Sequence, residues 1–257
     1  MLHSYWDFDP SVIGGTILLV LGYAVYVGPL RRRFQFGPAV PILRQVAFYL
    51  GCVVMLFALI GPLDGLGDKY LLSAHMVQHM LLGFVAPPLW LLGTPAWLVK
   101  LVLPPGLPER LAQPMFAFLV FNGVFWVWHL PRFYDAALEN DALHVVEHVM
   151  FMAGGVIGWA PVIGSGFAEQ RAPGFKFIYL VPSMFSCNAL AALITLSPKP
   201  LFPFYGQAAL HFGLTTLEDQ YIAGLAMWLP GDMLYLALFL WTVRSMFDQN
   251  QPEWKVS

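Results

Sequence analysis

The chain has 257 residues, of which 58% are hydrophobic and 11% charged, with a formal net charge of −2 and a mean hydropathy of +0.66. A soluble domain carries about a quarter charged residues, so this composition excludes an ordinary water-soluble globule. Near-neutral charge without a basic stripe argues against a nucleic-acid partner, and two cysteines, Cys52 and Cys187, each in an apolar run, read as buried inert thiols rather than a disulfide framework.

Apolar runs of about 20 residues are the signature of membrane spans. Seven are predicted, at roughly 11–30, 42–61, 71–92, 113–130, 142–163, 174–196 and 219–244. The fold class predicted is all-α: a polytopic helical bundle forming a single integral membrane domain over residues 1–257. The first span follows a segment with two acids and no Lys or Arg, unlike the basic start of a signal peptide, and is expected to be retained. With seven spans the connections alternate sides. One side collects Arg31, Arg32, Arg33, Arg44, Lys100, Arg110, Arg171, Lys176, Arg244 and Lys255; the other has Lys69, Arg132 and Lys199. The basic side is expected to be cytoplasmic, which puts the N-terminus outside and the C-terminus inside.

All seven histidines then fall on the outer side. His3 precedes span one, His75 and His79 open span three, His129 ends span four, His144 and His148 open span five, and His211 lies in the loop before span seven. Histidine is rare in membrane spans without a task, and its neutral ring is a metal ligand. His75/His79 and His144/His148 are i,i+4 pairs, each sharing a helix face. His79 lies about 13 Å and His148 about 10 Å below the start of its span, so both pairs can meet in one outer layer.

Met76 and Met80 repeat the i,i+4 spacing beside the first pair. Imidazole with thioether suits Cu(I), whereas imidazole alone also suits Zn(II) or Cu(II). Glu147 lies close to the face of the second pair, as a ligand or as a partner that orients a ring. The segment His144-Val-Val-Glu147-His148 also matches the inverted zinc-peptidase pattern. Haem ligation fits less well, because tandem i,i+4 pairs suit a compact ion. His129 is read either as completing the metal layer or as a hydrated residue at the membrane edge.

The remaining polar features sit in span seven and the loop before it. Residues 197–218 form a long loop, rich in Pro and aromatics, of the kind that serves as a lid or docking surface. Asp219 stands near the outer edge of span seven, and Gln220 shares a face with Met227. Asp232 lies near mid-membrane, where an acid needs a partner or a function; Asn122 and Asn188 are the candidate partners. Pro87, Pro88, Pro182 and Pro230 imply kinks that open cavities. The stretch from Gly93 to Pro105 reads as interfacial, with Trp97 and Lys100 at headgroup level.

The strings HMVQHMLL, APPLWLLGTP, WHLPRFYDAAL, LHVVEHVMF and EDQYIAGLAMWLPGD, in that order, resemble the multi-spanning CtaG-type family of cytochrome c oxidase assembly proteins. The resemblance runs from about residue 40 to 245. It implies a bacterial cytoplasmic (inner) membrane protein needed to make active haem–copper oxidase, with copper supply as the step served. Carried over by motif, His75, His79, His144, His148 and Asp219 are outer-layer polar positions, joined by Met80, Met227 and His129. The expectation is thus an outward-facing copper site, with Cu(I) as cargo and zinc as the alternative metal. Its partners would be oxidase subunits, a soluble extracytoplasmic copper donor and the lipid bilayer. No catalysis is expected. The rival readings are a copper transporter, with Asp232, Met233, Met55 and Cys52 as inner ligands; a zinc peptidase on His144, Glu147 and His148; and a histidine layer that only packs helices.

Overall fold

The computed structural model describes residues 8–164, 166–167 and 173–249. His3, Arg171 and Lys255 lie outside them. The described residues are helical, without strands, as expected from the composition.

Six helices are long and apolar enough to cross a membrane. They are α1 (Pro10–Phe34), α2 (Ile42–Ile60), α4 (Leu72–Gly93), α9 (Asp141–Ile163), α10 (Pro173–Leu196) and α11 (Thr216–Gln249). The chain is a multi-pass membrane protein. Short helices α3 (Pro62–Lys69), α5 (Ala96–Val102) and α6 (Leu107–Leu111) connect them. Helix α5 carries the half-buried Trp97 and the exposed Lys100.

The predicted fourth span, 113–130, differs. Helix α7 covers only Pro114–Trp128, and after His129 and Leu130 the chain turns by 72° into α8 (Pro131–Glu139). Fifteen residues rise about 22 Å, short of the ~30 Å hydrocarbon core. Pro131 bars the preceding residue from the helical region and breaks the helix there. The span count is therefore six, or seven if this bent pair is taken as one.

Helix α4 packs on α2, α9 and α11; α7 packs on α9 and α10; and α10 packs on α11. Five helices thus close a ring, with α2 applied to the outside of α4 and α1 to α2. Buried residues make up 61% of the most apolar stretch of α4 and 17% of that of α1, so α4 is the hub. The ring is filled by aromatic side chains. Phe84 packs edge-on against Phe125 and Trp159, and Phe121 and Tyr235 complete the plug. Edge-to-face pairs of this kind add to the burial of the rings themselves.

Proline shapes α4. Pro87 and Pro88 lack the N–H groups that would close the ladder behind them, and a π-helical turn occupies Leu81–Val85. The Gly83 carbonyl, four residues before Pro87, accepts instead from Trp159 Nε1 on α9 at 3.1 Å. At the same crossing, a Cβ on Gly155 would stand 2.6 Å from that carbonyl oxygen. Only glycine lets α9 approach α4 this closely. By contrast, α10 and α11 continue as helix through Pro182 and Pro230.

Candidate metal centre

The close crossing of α4 and α9 brings the two histidine pairs together at one end of the bundle. His75 and His79 are fully buried and His148 is 7% exposed. The His75 and His79 ring centroids are 4.2 Å apart, as are those of His144 and His148. Across the helices, His75 lies 5.4 Å from His144 and His79 lies 6.0 Å from His148.

Glu147 stands at the centre. Its carboxylate oxygens lie 3.8 Å from His75 Nε2, 3.5 Å from His79 Nε2 and 3.9 Å from His144 Nε2. None of these is a hydrogen bond, which needs about 2.7–3.2 Å. They match the spacing of ligand atoms around a shared ion, which at bond lengths of about 2.1 Å stand ~3.4 Å apart at the tetrahedral angle. One ligand atom from each of His75, His79, Glu147 and His148 falls within a 4.8 Å span. Both ring nitrogens of His75 and His79, Nε2 of His144 and of His148, and both Glu147 oxygens are buried without a hydrogen-bond partner. Buried polar atoms are ordinarily satisfied. A fully buried carboxylate among neutral imidazoles is costly unless a cation joins it. The donor set therefore fits a metal ion of the imidazole-and-carboxylate class.

His129 is buried, so of its two predicted roles the hydrated one is not what the fold gives it. Its ring Nδ1 lies 2.6 Å from the Phe125 carbonyl and its Nε2 3.1 Å from Met76 Sδ. A carbonyl can only accept, so Nδ1 carries the hydrogen. In the neutral ring Nε2 then presents a lone pair to a thioether that also offers lone pairs. This is a soft N,S pair of the type Cu(I) favours, 5.4 Å from the His79 ring. Met76 is fully buried; Met80, 7% exposed, lines a cleft of about 1020 Å³ between α4 and α11.

Two predicted positions take other roles. Asp219 accepts from Leu72 N at 2.7 Å, Ser73 N at 3.2 Å and Ser73 Oγ at 2.5 Å. Leu71, the residue at the α4 N-cap, offers no capping side chain, so a carboxylate from α11 caps α4 and fixes the turn that carries His75. Replacing Asp219 with alanine should cost about 1–3 kcal/mol of stability, the penalty for orphaning buried amide donors. Thermal unfolding in detergent checks this. Because Asp219 is a cap and not a ligand, metal stoichiometry at saturation should be unchanged. Met227 is buried in the core on α11, and no described contact joins it to the histidines. His211 is exposed, with Nδ1 3.0 Å from the Ala208 carbonyl.

A roof and a floor enclose the cluster. The 72° bend lays α8 over it, with the fully buried Tyr134 ring 5.1 Å from His75. Tyr205, from the long loop before α11, donates to the Gly67 carbonyl at 2.6 Å, so Tyr134 donates its hydroxyl hydrogen to Tyr205, also at 2.6 Å. Burial holds the Tyr205 phenol well above its usual pKa, keeping it a neutral donor. The loop at 197–218, expected to be a lid or a docking surface, is thus tied down by one phenol chain. Below, Phe151 stacks on His79 at 4.1 Å and meets Phe125 edge-on at 4.9 Å.

Sequence reasoning missed Asp68, Tyr134, Tyr205, Phe151 and Gln78. Gln78 donates to the Ala58 carbonyl at 2.9 Å and to Asp64 at 2.7 Å. Ala58 lies four residues before Pro62, which has no N–H to offer it. Asp232 has a buried Oδ1 without a hydrogen-bond partner, and Asn122, one of its expected partners, donates instead to the Phe118 carbonyl of its own helix.

The family described as cytochrome c oxidase caa3 assembly factor matches residues 21–249. The chain belongs to this family. Among curated proteins, an uncharacterized protein of Mycobacterium tuberculosis and one of Mycobacterium bovis are each 27% identical over 260 residues, covering 91% of this chain and 39% of their own length. An uncharacterized protein of Mycobacterium leprae is 28% identical over 246 residues, covering 88% of this chain and 37% of its own. The chain thus spans less than two-fifths of these relatives. No solved structure matches it.

Proposed function

We propose that this assembly factor carries copper as cargo at the His75, His79, Glu147 and His148 centre and supplies it to an oxidase subunit within the bacterial cytoplasmic membrane. The carrying observation is the set of buried ligand atoms within one 4.8 Å span, spaced for an ion and without hydrogen bonds among themselves. The His129 and Met76 pair beside it favours Cu(I) over Zn(II). The charge asymmetry of the loops supports a histidine end outside the cytoplasm, where a soluble donor would load it.

The aromatic floor argues for delivery rather than passage. Phe151, Phe125, Phe84, Phe121, Trp159 and Tyr235 fill the ring below the histidines. Among the inner ligands a transporter would use, Met233 is 73% exposed, toward the bundle's exterior, and Cys52 belongs to a separate cluster with Tyr23 and Phe48. A peptidase would need Glu147 beside an open, substrate-accessible metal position. Here it is fully buried at the centre of the ligands.

The test is the copper content of the oxidase in cells that depend on this chain. His75→Ala/His79→Ala should leave the oxidase assembled with haem but depleted of copper, and full copper content would overturn the proposal.

A further inference from the structure

We propose that Asp68, His144 and the Nδ1 edge of His75 form a second, outer ion position that loads the buried one. The inference rests on the cargo reading above and adds a residue, Asp68, and a route. Asp68 is the penultimate residue of α3, the short helix that precedes α4. It comes close because Gly67 has no side chain: a Cβ there would meet the His75 backbone at 3.0 Å. One Asp68 oxygen, Oδ1, then lies 3.8 Å from His75 Nδ1 and 3.6 Å from His144 Nε2. These three donors fall within the same 4.8 Å span that marks the inner group. At 3.6–3.8 Å they are too far apart to be hydrogen-bonded to each other.

His75 belongs to both groups through opposite edges of one ring. Nδ1 faces Asp68, and Nε2 faces Glu147 at 3.8 Å. The two positions differ in access. The Asp68 and His144 side chains are 26% and 14% exposed, whereas His75 and Glu147 are fully buried. They differ in chemistry as well. The outer set has one imidazole fewer than the inner one, leaving more of an ion's coordination to water, although its three donor atoms are themselves buried. A hydrated ion cannot enter a dry cluster without shedding its water, and desolvating charge is costly. An outer position that exchanges some waters for Asp68 and His144 divides that cost into two steps. A shift past His75 then completes the transfer, the ring hydrogen exchanging from Nε2 to Nδ1 so that each nitrogen offers its lone pair in turn.

The proposal predicts metal binding when the inner position is disabled. The probe is Co(II) alone, titrated into the full chain in mild detergent and read by its visible ligand-field bands. His79→Gln/His148→Gln should still bind one Co(II), more weakly than the wild type. Adding Asp68→Asn should abolish that binding. In the wild-type background, Asp68→Asn should keep the inner equivalent and slow its loading at least several-fold. Unchanged elution and thermal unfolding establish that each variant is folded, and His144→Gln repeats the Asp68 test from the other helix. No Co(II) binding by folded His79→Gln/His148→Gln, with the wild type binding normally, overturns the outer position. So does a wild-type background in which Asp68→Asn lowers affinity without changing the loading rate, because Asp68 would then only orient His75. A wild type that binds neither Co(II) nor Cu(I) fails differently, since it removes the cargo reading itself.

Discussion

Glutamine in place of Glu147 is expected to have opposite effects on the loaded and metal-free protein. In the loaded state the carboxylate is the only anion among the inner ligands, standing 3.5–3.8 Å from His75 and His79. Losing it should weaken Cu(I) binding by about 100-fold or more, since even outer partners of metal ligands are worth 10–100-fold. Without metal the same carboxylate is fully buried with both oxygens lacking hydrogen bonds. A neutral amide of the same shape removes that burden, so the metal-free variant should unfold at the same temperature as the wild type or higher. Metal stabilises the folded state in proportion to its affinity, so the gain in unfolding midpoint on adding Cu(I) should shrink sharply. Thermal unfolding with and without Cu(I) reads both effects. If Glu147→Gln lowers the metal-free midpoint as much as the loaded one, the carboxylate holds helices together directly and the cluster is packing.

The second large effect is remote from any ligand. Gly155 faces the Gly83 carbonyl at the α4–α9 crossing, where an added Cβ would stand 2.6 Å from the oxygen and 2.6 Å from Pro87 Cγ. Neither a backbone oxygen nor a proline ring can swing aside. Gly155→Ala must therefore spread the helices that carry the two histidine pairs. Overpacking of this kind costs about 1–3 kcal/mol. It should also strain the Trp159 bond to Gly83. Copper affinity should fall by more than tenfold (about 1.4 kcal/mol) although every ligand is intact. Gly14→Ala is the control, because nothing lies within 4 Å of its Cβ position. Equal copper affinity in Gly155→Ala would mean that the cluster tolerates separation of α4 and α9.

The sequence was most informative where local periodicity sufficed. Two i,i+4 pairs at matching depth pointed to one layer, and the fold brings them together with Glu147 between them. Apolar run length located the long helices. It also placed span four within two residues of α7 (Pro114–Trp128), but hydropathy does not register the turn at Pro131 that sends α8 across the end of the bundle. Asp68 was invisible for a different reason. It lies in a Gly-rich connection with no helical period, and its proximity to His75 depends on Gly67 fitting against the α4 backbone. Asp219 was recognised as an outer polar residue but not as a cap, since a cap supplied by another helix leaves no mark on the capped helix. Tyr134 and Tyr205 are 71 residues apart and are joined only by the tertiary fold.

The most direct test of the account is the copper bound per chain by wild-type protein purified in mild detergent and offered Cu(I) under reducing conditions. At least one tightly held copper per chain, lost in His75→Ala/His79→Ala and sharply weakened in His144→Ala/His148→Ala, is the predicted result. A wild type that stays metal-free would contradict the account and leave the histidine layer as a structural element of an assembly factor that works by other means.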